Sequence, residues 1–70
     1  MPLIIAPLNH ELKIIKILLD QKVKKHLESL GLLVNNKITV LSSNGGNIIC
    51  LIKEGRLALN KDIASKILVA

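Results

Sequence analysis

The most restrictive passage of the chain runs from Lys37 to Leu59. Its apolar residues recur with period two, and two glycine-bearing turns interrupt it. Lys37-Ile38-Thr39-Val40-Leu41 reads as a strand with Ile38 and Val40 on one face. Ser42-Ser43-Asn44-Gly45-Gly46-Asn47 reads as a flexible turn. Ile48 to Lys53 is a second strand, Glu54-Gly55 a two-residue hairpin loop, and Arg56-Leu57-Ala58-Leu59 the return strand. Pairing Lys53 with Arg56 sets Ile52 opposite Leu57 and Cys50 opposite Leu59, so that these four share a face that can be buried. Lys53 and Arg56 then fall on the other face with Leu51 and Ala58. The passage predicts an antiparallel meander.

A helical pattern precedes it. Val23, Leu27 and Leu30 stand at i, i+4 and i+7, a single apolar stripe. Asp20 is placed to cap the first turn. Gly31 follows the last turn, where a left-handed residue is wanted. The spacing predicts a helix of three turns over about 20–30. Upstream, Leu12 to Leu19 alternates through Ile14 and then changes phase at Ile15, which predicts a bulge in a bent strand. Leu3 to Ala6, bracketed by Pro2 and Pro7, reads as an edge strand. Asn60 opens a short helical turn over about 61–66, with Ile63 and Ile67 at i, i+4, and Ile67-Leu68-Val69 closes the chain as a last β segment. Short strands, one bulge and two small helices in 70 residues predict a mainly β fold, a small closed barrel, as one domain over 1–70.

The material for the core is unusual. Phe, Trp and Tyr are absent, and half the chain is apolar, mostly Leu, Ile and Val. One cysteine supplies no internal disulfide. A chain this short buries only about 60 % of its unfolded surface, so stability rests on dense aliphatic packing. On that basis a concave site of about 300 Å³ or more is not expected.

The chemistry-bearing residues are few. Cys50 lies mid-strand among apolar neighbours and reads as a small buried hydrophobe. Among His10, Glu11, Asp20, His26, Glu28 and Asp62 no pair has a recognised metal spacing. Gly45-Gly46 lacks the following Lys-Ser/Thr of a phosphate loop. Ten Lys and Arg against five Asp and Glu give a net charge of +5, which steers the chain toward anionic partners. Without aromatic rings to stack bases and with one arginine, specific nucleic-acid binding is not expected. No apolar run is long enough to span a membrane, and the N-terminal segment does not read as a signal peptide. The chain reads as a cytoplasmic domain.

Two stretches resemble a known family. Leu27-Glu28-Ser29-Leu30-Gly31-Leu32 followed by Lys37-Ile38-Thr39-Val40-Leu41, and then Gly55-Arg56-Leu57-Ala58-Leu59 running on to Val69, resemble the ferrous iron transport protein A (FeoA) family of bacteria. Asn35-Asn36 stands where the family often has a glycine, and asparagine tolerates the left-handed angles of such a turn. The resemblance implies an SH3-like barrel. It also implies a cytoplasmic accessory of a membrane ferrous iron transporter, partnered with that transporter's G-protein domain, with no catalytic residues and no cofactor. It implies membrane contact only through the transporter. On this reading the contact residues are Lys22, Lys25 and Glu28 on the exposed helix face and Lys53 and Arg56 at the hairpin tip. The alternative is a stand-alone metal-responsive domain like those of iron- and manganese-dependent repressors.

Overall fold

β3 (Asn47–Ile52) is the middle strand of the meander in the computed structural model, which describes residues 1–70. It pairs antiparallel with β2 (Lys37–Asn44) on one side and β4 (Gly55–Leu59) on the other. β1 (Glu11–Ile17) continues the sheet beside β2, and β5 (Ile67–Val69) lies beyond it, giving the order β4-β3-β2-β1-β5. β1 is the corner strand. Its first three residues pair with β2 and its second half pairs with β5. The change of partner occurs at a bulge between Ile14 and Lys16, where the sequence changes phase. α1 (Gln21–Ser29) connects β1 to β2, and the four-residue α2 (Lys61–Ala64) connects β4 to β5, the two ends of the sheet. The result is the mainly β, small SH3-like barrel.

Local chemistry accounts for the helix ends. Asp20 Oδ1 accepts from the Val23 N–H at 2.9 Å, and Asn60 Oδ1 accepts from the Ile63 N–H at 2.9 Å. At the far end of α1 the Gly31 N–H reaches Glu28 O and the Leu32 N–H reaches Leu27 O, each at 3.0 Å. These are the two bonds of a Schellman motif, and Gly31 holds the positive φ it requires, +100°. Leu27 and Leu32, the pair that such a motif brings together, are both buried.

The core is the inner face of this barrel. Its 15 buried residues are all hydrophobic, with Leu3, Ile14, Leu32, Ile38, Ile48 and Ile67 its largest fully enclosed members. Cys50 sits among them as a free thiol. Alternation along β3 buries Ile48, Cys50 and Ile52 and turns Asn47, Ile49 and Leu51 outward.

Four expectations need correction. Leu3–Ile5 is a 3-10 turn rather than an edge strand, with Leu3 and Ala6 buried three residues apart. The two prolines deny the segment the N–H donors of a ladder, and only isolated bridges, Pro2 to Leu68 and Leu8 to Val40, remain on either side. β2 extends to Asn44, and its turn shrinks to Gly45-Gly46, both at positive φ. A bulge between Val40 and Ser42 shifts the alternation, so three polar residues stay paired while exposed. The β3–β4 register differs by two: Ile52 faces Gly55, Leu51 faces Arg56, and Cys50 faces Leu57. Lys53-Glu54 is therefore the loop, and Gly55 begins β4 with a φ of +129°. Finally, α2 ends at Ala64, which is buried, two residues short of the expected end, while Ile67 opens β5 as expected.

Candidate interaction site

The loop that follows α1 and the tip of the β3–β4 hairpin meet across a groove of about 540 Å³. This groove runs against the expectation that a concave site of about 300 Å³ or more is hard to build in so short a chain. Gly31, Asn35 and Asn36 form one wall, and Lys53 and Glu54 form the other. The two walls approach closely at Gly31, where an added Cβ would stand 2.5 Å from Glu54 Oε2 and 3.2 Å from Ile52 Cδ1. The positive φ of Asn35, +77°, turns the first wall toward β2. Its position is held by the Asn35 N–H donating to Ile14 O at 2.7 Å and by Asn36 O accepting from the Ile14 N–H at 2.9 Å. Asn36 Nδ2 also donates to Gly31 O at 3.3 Å.

Sheet register lays out the floor. Glu11 faces Thr39, Thr39 faces Leu51, and Leu51 faces Arg56, so these four form one cross-strand row on the outward surface. Leu51 is 43 % exposed, an apolar side chain where alternation calls for a polar one. Lys37 Nζ lies 3.6 Å from Glu11 Oε1, and both side chains are mostly in solvent. The groove thus carries Glu11 and Glu54 against Lys37 and Lys53, with no net charge.

The contact residues named from the sequence divide between two places. Lys53 lines the groove, and Arg56 stands at its border beside Leu51. Lys22 and Lys25 are exposed on the outer side of α1, about 60° apart around the helix axis. Glu28 lies roughly another 60° on around the helix and is partly buried. Sequence reasoning missed Glu54, Asn35, Asn36 and the Glu11–Lys37 pair as members of one site. The outward Leu51 was the readable signal.

No cluster of three or more His, Cys, Asp or Glu side chains is arranged to hold a metal ion. The one perturbed titratable group is the Cys50 thiol, which burial pushes up to about 11, partly offset by a backbone hydrogen bond. Its Sγ lies 3.4 Å from Leu57 O, inside the core and on the opposite side of β3 from Leu51. It has none of the thiolate character a nucleophile needs. No helix is long and apolar enough to cross a membrane.

The barrel is similar to solved structures. A crystal structure described as an iron uptake regulatory protein (FeoA) superposes with a TM-score of 0.86 at 29 % identity, covering 99 % of this chain and 92 % of that one. An NMR structure of a FeoA-like protein from Clostridium acetobutylicum gives a TM-score of 0.83 at 22 % identity, over 100 % of this chain and 84 % of its own, and shows the shared fold. No curated protein matches the sequence. The FeoA domain model matches residues 1–70, and with the Schellman-capped helix, the bulged corner strand and the meander all in place, the chain belongs to the FeoA family.

Proposed function

We propose that this protein is an accessory and regulatory component of ferrous iron uptake that acts by binding the cytoplasmic G-protein domain of a membrane iron transporter. FeoA family membership over residues 1–70 supports a role in ferrous iron uptake, and it is the observation that carries the reading. The surface is consistent with protein–protein contact. The groove is open, is lined by charges of both signs, and has an exposed leucine in its lining. Lys53 and Arg56 are the contact residues at the groove, and Lys22 and Lys25 extend the surface along α1, with Glu28 at its flank.

Calorimetric titration of the protein into the transporter's soluble G-protein domain tests this. Nucleotide-free, GDP-bound and GTP-analogue-bound forms are each examined, and saturable binding to at least one is expected. Reversing both Lys53 and Arg56 to Glu should weaken that binding about tenfold or more. Absence of binding in all three states overturns the proposal.

A further inference from the structure

A second surface differs in kind from the groove. The bulge in β1 turns Ile15 and Lys16 outward in succession, between Ile14 and Ile17, which are buried. Ile15 is left 49 % exposed. On one side Lys16 pairs with Leu68, and the exposed Lys66 lies in the turn that leads into β5. The exposed Leu18 is tied to the same place by its N–H, which donates to Lys66 O at 2.7 Å. On the other side the two hydrogen bonds at Ile14 bring up the loop that carries Leu33 and Val34, both exposed. Four exposed aliphatic residues and the lysines Lys16 and Lys66 thus lie on segments hydrogen-bonded to one stretch of β1. No Asp or Glu occurs in residues 12–19, 30–36 or 65–70.

We infer that this flank rests on an anionic lipid bilayer, with the lysines among the headgroups and Ile15, Leu18, Leu33 and Val34 entering the acyl boundary. Charge of one sign interspersed with exposed aliphatic groups is the pattern of a peripheral membrane surface. Two alternatives fit less well. A second copy placed symmetrically on this face would set lysine against lysine. An extended acidic peptide needs a groove or a free strand edge, and the molecule's one pocket lies elsewhere. The neighbouring edges are also taken: β1 lies between β2 and β5, and β5 is covered by Met1 and Pro2. The family resemblance implies membrane contact only through a transporter, whereas this flank makes the contact direct.

Co-sedimentation of the whole protein with phosphatidylcholine vesicles, with and without phosphatidylglycerol, is the test. The protein should pellet with the phosphatidylglycerol vesicles at low salt and stay in solution with the others. Lys16→Gln and Lys66→Gln should each lower partitioning about fivefold, and Ile15→Ser should lower it as well. The pair Lys22→Gln and Lys25→Gln, on α1, should leave it unchanged. All of these positions are exposed, and thermal melts of the variants confirm that each is folded. The inference fails if the protein does not pellet with the anionic vesicles, or if the α1 pair lowers binding as much as Lys16 and Lys66 do. It fails equally if the flank variants keep vesicle binding but lose binding to the transporter's G-protein domain. No protein partner is present in the vesicle assay, so its outcome is separate from that of the titration proposed above.

Discussion

Replacing Gly31 with alanine tests how α1 is fastened to the hairpin that forms the groove. Two costs combine at this position. An alanine held at positive φ costs about 1–2 kcal/mol, and +100° lies beyond the usual left-handed well. The new Cβ would also stand 2.5 Å from Glu54 Oε2 and 3.2 Å from Ile52 Cδ1. The Glu54 carboxylate is the end of a flexible side chain and can swing away. Ile52 is buried in the core and can shift only slightly, which adds part of the roughly 1–3 kcal/mol typical of overpacking. The sum is about 2–4 kcal/mol. A domain of this length has a total stability of roughly 4–10 kcal/mol, so the loss is a large share of it. At about 4–8 °C per kcal/mol, the melting temperature should fall by at least about 8 °C.

Thermal and urea melts followed by circular dichroism measure the effect, with two comparators. Gly45→Ala has a similar backbone cost, with φ at +60°, but nothing lies within 4 Å of its new Cβ, so about 1 kcal/mol is expected. Gly31→Asn eases the backbone term and keeps the steric one. If Gly31→Ala destabilises no more than Gly45→Ala, the close approach of α1 to the hairpin is wrong, and so is the wall it gives to the groove.

Other perturbations follow from the same structure. Leu27→Ala removes a side chain that is 2 % exposed and should cost about 2–5 kcal/mol, leaving a visible unfolded fraction in a urea titration extrapolated to water. Asp20→Ala should cost about 1 kcal/mol through loss of the bond to the Val23 N–H, and combining it with Leu27→Ala should show coupling, because both act on α1. Cys50 should resist thiol reagents at pH 8 until the protein is unfolded. Its raised pKa means that the unfolded chain releases the thiol proton first. Stability is therefore whole below about pH 9 and declines toward pH 11, by at most roughly 2–3 kcal/mol, and Cys50→Ala should remove that slope from pH-dependent urea melts.

The elements most legible in the sequence were those in which one residue type admits one geometry. Asp20 and Gly31 marked both ends of α1 and Asn60 the start of α2, because capping needs a short acceptor side chain and the Schellman motif needs a positive φ. The bulge in β1 was visible as a change of phase, since a strand cannot bury Ile14 and Ile17 on one face without an extra residue. The β3–β4 register was not legible. A shift of two leaves every side chain on its own face, so hydrophobic pattern cannot choose between the alternatives. The choice was made by Gly55, whose positive φ suits the first residue of the returning strand. The extension of β2 was hidden because Ser42, Ser43 and Asn44 are paired through their backbones while their side chains face water. The groove was hidden because its members come from four separate parts of the chain, and because a pocket was assumed to displace core.

That assumption fails for a physical reason that also bears on function. A cavity inside a core of 15 side chains would forfeit their mutual contacts. This groove lies outside the core, between a turn and a hairpin tip, and the register that puts Lys53 and Glu54 in the loop is what creates it. Its two carboxylates and two ammonium groups cancel, so a purely anionic or purely cationic ligand meets a like charge wherever it binds. A segment of a partner protein carrying both signs does not. The cancellation also separates the two halves of the proposed contact surface. Binding through the groove alone rests on a few short-range complementary pairs in a neutral site, whose long-range field is small, and should weaken only slightly as salt rises. Engagement of Lys22 and Lys25 adds uncompensated positive charge and should make the association weaken steadily as salt rises. The proposal that α1 takes part requires the second behaviour, and a flat salt response would remove Lys22 and Lys25 from the contact while leaving Lys53 in it.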